Sequence, residues 1–176
     1  MGYALFAAQK INYSNLVFNY QMQLNEISDE RIQLAEFIAN ISDGQVTGDE
    51  LTSDPTNLES YISYINDSNS YVTANIEGDE TAGISAIDIN NLAQSQYGEN
   101  VTAEQIATIQ ASLVSSFQEK YAKYYQKQLE VEDQKLEAKQ KKIETKLTAA
   151  QKQLEQIEQA EGQAIEKATP KYAGLG

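Results

Sequence analysis

Along the first forty residues, apolar side chains return in alternating steps of four and three. Tyr13, Tyr20, Ile27, Leu34 and Ile41 recur every seven residues, with Val17, Leu24, Arg31 and Ile38 interleaved. That period marks a coiled-coil seam, because about 3.5 residues per turn keeps one stripe of a helix facing a partner. Arg31 is the one interruption. Residues 3–42 hold neither proline nor glycine, and Asp43-Gly44 then acts as a stop, glycine being favoured just past a helix end. The pattern predicts an N-terminal coiled-coil helix over residues 1–42, about 60 Å long at about 1.5 Å per residue.

A second long pattern opens at "TAEQ", which reads as a capping box with Thr102 as cap and Gln105 reaching back to it. Ile106, Ile109, Leu113 and Phe117 supply its first face. Leu129, Leu136, Ile143, Ala150, Ile157 and Ala164 then keep a strict seven-residue row. The companion row reads as Glu132 and Lys139, polar at first, and becomes apolar with Leu147 and Leu154. So narrow a seam among lysine, glutamate and glutamine needs a partner helix to be stable in water. Pairs such as Glu119–Lys123 and Glu137–Lys141, four residues apart, add a little on the exposed faces. Pro170 ends the pattern, so the prediction is a helix over 102–169, about 100 Å long, and a tail over 170–176.

Residues 43–101 change character and become rich in Gly, Asp, Asn, Ser and Thr. Pro55 after "TSD" marks a helix start, and "LESYISYIND" carries Leu58, Tyr61, Ile62 and Ile65 at helical spacing for about four turns. "SYVTANI" alternates β-formers and reads either as extended chain or as a frayed continuation of that helix. "IEGDETAG" is a turn, and "ISAIDINNLAQSQYG" a short helix ending at Gly98. The expected fold is all-α: two long terminal helices in a coiled-coil hairpin, with a polar, surface-exposed insertion of helices and loops between them.

Charge sharpens this division. The formal charge of −13 is concentrated in residues 1–117, where only Lys10 and Arg31 offset the carboxylates; residues 118–176 are close to neutral. Between Asp43 and Glu104 no basic residue appears. Such a surface repels phosphate backbones, so nucleic acid is not an expected partner. Acidic solubilisation is the simpler account.

Histidine and cysteine are both missing, and that removes disulfides, thiolate nucleophiles, imidazole bases and zinc sites built on sulfur or imidazole. Carboxylates on the glycine-containing loops "SDGQVTGDE" and "IEGDETAG" are the residue type that hard cations take, but the EF-hand spacing fails. Counted from Asp67, its sixth position is Val72 and its twelfth Gly78. Solvated acidic turns, with no metal and no cofactor, are the expectation. Nor is an enzyme expected, since nothing suggests convergent groups in a closed cleft. Glycosylation-type triplets at Asn12, Asn40, Asn66 and Asn100 are taken as coincidence, two of them lying on a predicted helix. Tyr3, Tyr13 and Tyr20 line the first helix, while Tyr121, Tyr124 and Tyr125 crowd the second. They read first as edges of an internal seam, and alternatively as anchors to a neighbouring subunit.

The short apolar patch "YALFAA" runs at once into Gln9 and Lys10, unlike a cleaved signal peptide, and no run approaches the length of a membrane span. Export, if it occurs, is expected to use a route without a cleaved signal; otherwise the chain stays in the cytoplasm.

In layout the chain resembles flagellin and the axial filament proteins exported by type III secretion systems. "AAQKINYSNLVFNYQMQLNEISDERIQLAEFIANI" corresponds to their N-terminal core helix and "QLEVEDQKLEAKQKKIETKLTAAQKQLEQIEQ" to their C-terminal one. The resemblance implies terminal helices paired in a filament core, a variable polar domain facing outward, and export with the help of a secretion chaperone or export apparatus. It agrees with the lack of cysteine, histidine and tryptophan.

The functional expectation is a structural subunit that polymerises with itself, head to tail, through Tyr13, Val17, Tyr20, Leu24, Ile27, Leu34 and Ile38 on the first helix. Leu129, Leu136, Ile143, Leu147, Leu154 and Ile157 complete that surface on the second. Because the second helix is predicted to be the longer by about 25 residues, part of its seam should overhang and meet other chains. The alternative is a soluble coiled-coil adaptor, or a chaperone-like component of a secretion or phage apparatus, closed as a dimer or trimer.

Overall fold

A computed structural model describes residues 2–42, 44, 46–47 and 58–168. Among them are four helices: α1 (Gly2–Asn40), α2 (Leu58–Glu77), α3 (Ile89–Tyr97) and α4 (Ala103–Ala168). A single antiparallel bridge, Asp79 to Ile84, is the extended structure found there. The long N-terminal helix packs against the long C-terminal one, so the all-α hairpin expectation holds. The chain divides into two compact units, one of residues 1–31 with 133–176 and one of residues 32–132.

The helix ends follow local chemistry. At the end of α1, Ile41 N–H donates to Phe37 O at 3.1 Å and Gly44 N–H to Ile41 O at 3.0 Å. Gly44 sits at φ +81°, and a Cβ there would stand 3.0 Å from the backbone carbon of Gln118, so only glycine lets the chain lie this close to α4. The helix start expected at Pro55 lies outside the described residues. Thr102 and Gln105 form the expected capping box: Thr102 N–H donates to Gln105 Oε1 at 2.9 Å, and Gln105 N–H to Thr102 Oγ1 at 3.3 Å.

"SYVTANI" is helical, and α2 runs on to Glu77. The reason is packing. Tyr61, Tyr64, Ser68, Val72 and Ile76 make one buried stripe at helical spacing, and its burial outweighs the weak helix preference of the β-branched residues. Asp79 then organises the expected turn: its Oδ1 accepts from Thr81 N–H at 2.9 Å, Thr81 Oγ1 at 2.6 Å and Ala82 N–H at 3.2 Å. The short helix begins later than "ISAIDINN" suggested, at Ile89, where Asp88 caps Asn91 N–H at 3.0 Å, and it ends at Gly98 as expected.

The second unit has the thicker core. Phe37, Ile41, Tyr61, Tyr64, Tyr121, Ala122 and Leu129 are buried together from α1, α2 and α4. Its rings meet edge-on or tilted, Phe37–Tyr61 with centroids 4.7 Å apart and Tyr64–Tyr121 5.6 Å apart. Such pairs contribute about 0.5–1.5 kcal/mol each beyond area burial. Asn40 Nδ2 donates to the Tyr61 hydroxyl at 2.6 Å, giving that buried phenol its polar partner.

Candidate interaction surface

In the first unit α1 and α4 run antiparallel, and their inner rows are the ones read from the sequence. Ile27, Ile143 and Ala150 are buried; Tyr13, Val17, Tyr20, Leu24, Leu136, Leu147, Leu154 and Ile157 are half-buried. In the second unit Leu34 and Ile38 pack against the cluster that contains Leu129.

One row needs correcting. Glu132 and Lys139 are exposed, while Asp133, Gln140, Leu147, Leu154 and Glu161 are half-buried at strict seven-residue spacing. The companion row of α4 therefore runs through Asp133 and Gln140, one position on from the expected residues. It lies four residues after Leu129 and three before Leu136, as an alternating heptad requires.

Those two polar positions explain Arg31. Its Nε donates to Asp133 Oδ1 at 2.6 Å and its Nη2 to Asp133 Oδ2 at 3.0 Å, while Nη1 donates to Gln140 Oε1 at 3.0 Å. The planar guanidinium thus spans a heptad of α4, forked onto the carboxylate. This bond holds the Asp133 carboxyl below its ordinary range and raises Arg31 in return. Near the other end of the pair, Lys10 stands on the same row of α1 as Arg31 and meets Glu158 at 3.2 Å and Glu161 at 3.6 Å. Hydrogen bonding to Glu158 is the main reason its ammonium is raised above the usual lysine range. A slip of one heptad would move Asp133 off Arg31 and Glu161 off Lys10, so the two polar layers define one register.

Expected overhang of α4 is also accounted for within the chain. Ile109, Tyr121 and Ala122 are buried, and Tyr71 of α2 meets Phe117 and Tyr121 with ring centroids 6.3 and 5.4 Å apart. The N-terminal part of α4 packs against α2, and α1 reaches as far as Glu158 and Glu161. Tyr121 and Tyr125 join the internal cluster, and burial pushes the Tyr121 phenol up to about 12.

Sequence reasoning missed the outer side of α1. Ala4, Ala8, Ile11, Asn15, Phe18, Met22 and Asn25 alternate steps of four and three, and every one is exposed. Leu5 is 60% exposed, Ile11 63%, Phe18 59% and Met22 46%. From Gly2 to Asn25 the single charged residue is Lys10, which is turned to α4. The signal was present in the sequence as a second heptad offset from the first, together with the missing charges.

Concavities are slight. A hollow of about 280 Å³ lies beside Gly44, Tyr64, Ser68 and Gln118, and Ser68 Oγ there is buried without a partner. A broader one, along Lys141, Thr145, Thr148 and Lys152, is the solvent side of one helix and encloses nothing. Among the described residues no group of three or more acidic side chains could hold a metal ion, and no helix is long and apolar enough to cross a membrane. The loop "SDGQVTGDE" lies largely outside them. Comparison with family models, curated proteins and solved structures finds no match to this chain.

Proposed function

We propose that the chain is a structural subunit that self-assembles, its two long helices forming the body of a filament or similar helical polymer. The observation that supports this reading is the outer side of α1, where apolar side chains repeat at coiled-coil spacing beyond those α4 covers. A helix apolar on two sides belongs between two partners. An extracellular place for the polymer, and a secretion chaperone or export apparatus as a passing partner, rest on the flagellin-like layout.

A closed oligomer is the second reading, and one observation favours it. The inner rows of both helices already meet within the chain, which leaves α1 with one free stripe, and a single stripe used symmetrically closes into a dimer. Negative-stain electron microscopy over a concentration series, with sedimentation velocity, separates the two. Long polymers of constant diameter support the filament, and a small species of fixed mass supports the closed oligomer. A monomer at every concentration overturns both.

A further inference from the structure

We infer that an exposed lysine stripe on α4 is a docking face for a second copy of this chain, and that it takes the acidic surface of that copy's residues 32–132. This rests on the self-assembly reading and names two surfaces that meet in it.

Charge segregation carries the inference. Residues 32–117 hold 13 carboxylates and neither lysine nor arginine. In the unit of residues 1–31 with 133–176, ten cations stand against ten carboxylates, so the whole −13 lies in the other unit. Within the neutral unit the charge is again uneven. Residues 134–154 of α4 carry six lysines against Glu137 and Glu144. Lys135, Lys139, Lys142 and Lys146 follow in steps of four, three and four, which sets them on one side of the helix, and all four are exposed. Among the described residues, Lys10, Arg31 and Lys141 are the cations in ion pairs, so these four ammonium groups have no partner within the chain.

The opposing surface is held in place. Glu77 and Glu80 are exposed on either side of Asp79, whose carboxylate ties down the turn through Thr81 and Ala82. Carboxylates on a pinned turn lose little freedom when they meet ammonium groups. Exposed lysines are at ease in water in a lone chain and gather a partner only where opposite charge is dense. A second copy supplies that density, since residues 32–117 have no cation of their own to neutralise them. A nucleic acid or an anionic membrane is negative throughout and is repelled by residues 32–132, whereas a second copy also has a neutral unit.

The stripe is about 17 Å long, too short to hold a partner by apolar burial. Its attraction reaches about 10 Å at about 0.1 M salt and fades as salt rises. Made once by each copy, the contact extends a chain; made reciprocally, it closes a pair.

Sedimentation velocity of the full chain tests the arrangement. Raising NaCl from about 0.05 to about 0.5 M should raise the concentration needed for association about tenfold. Lys139→Glu with Lys142→Glu, and Glu77→Lys with Glu80→Lys, should each need more than about fivefold higher concentration than the parent at low salt. A one-to-one mixture of the two should recover association, because each reversed surface then finds its opposite. Circular dichroism should show parent helicity; a pair that loses it is replaced by Lys135→Glu with Lys146→Glu, or by Glu80→Lys with Glu99→Lys. A parent chain that stays monomeric at low salt overturns both this interface and the self-assembly reading. Association that ignores salt, or that both variants share with the parent, overturns the interface alone. Loss in each variant without recovery in the mixture also overturns it, since the lysines would then meet a different surface. So does binding of phosphatidylserine vesicles or a short DNA duplex by the parent and not by the lysine variant, while both associate alike.

Discussion

Both helices of the first unit meet through the same heptad, yet their outer sides have opposite characters. On α4 that side carries Lys135, Lys141, Lys142, Lys152 and Glu155, all exposed. On α1 it carries Leu5, Ile11, Phe18 and Met22 among asparagine, glutamine and alanine. The α4 side is finished for water. Its Lys141–Glu137 pair, 2.5 Å apart with the lysine side chain 70% exposed, is a solvated ornament of little energetic weight. The inner seam therefore determines how the hairpin closes, while the residues behind it determine whether the closed hairpin is content in solution. Similar inner rows say nothing about that second matter.

The largest expected effect comes from attacking the side the two helices share. Ile27→Ala, at a position 1% exposed, should cost about 2–4 kcal/mol in chemical denaturation, and Leu154→Asp should lower the far-UV helical signal. Retained helicity in Leu154→Asp would show that this part of α4 does not depend on α1. Gly44→Ala should cost about 1–2 kcal/mol, since it forces a side chain into left-handed backbone against Gln118; an unchanged melting curve would mean the loop moves freely off α4.

A smaller effect should appear with acid. Because Arg31 holds Asp133 below its ordinary value, the folded chain binds this proton more weakly than the unfolded one. That contribution is complete above about pH 4 and is lost as pH falls through the lowered folded value. Melting temperatures of Asp133→Asn should lie below the parent's near neutrality, by less than those of Ile27→Ala, and the two curves should converge toward pH 2. A constant gap would mean that shape, not charge, is what Asp133 supplies.

The smallest effects belong to the outer sides. Ile11→Ser and Lys141→Ala should each change monomer stability by no more than about 0.5 kcal/mol. Measured at low concentration, they sharpen the contrast: Ile27 and Ile11 are the same residue type on opposite sides of one helix.

Much of this was legible in the chain itself. Strict heptads, the Thr102–Gln105 box and the Asp79 turn are local patterns with local causes, and they appear where the residues place them. Asp133 and Gln140 are not legible as seam residues from apolar periodicity, because a seam position filled by a carboxylate or an amide looks like surface until Arg31 is set opposite. The full length of α2 was hidden for a different reason. Val72 and Ile76 favour helix only because the folded unit buries them, and that burial is not encoded within their own segment. The outer stripe of α1 is hard to read because Ile11, Phe18 and Met22 lie between positions of a stronger heptad and are interrupted by Asn15 and Asn25.

The separation of Arg31 from Asp133, 102 positions along the chain, has a consequence at synthesis. α1 emerges first and must wait for most of the polypeptide before α4 can cover its inner side. At about 5–20 residues per second that interval is on the order of 5–20 seconds, during which the inner seam of α1 faces water with nothing of its own chain yet made to cover it.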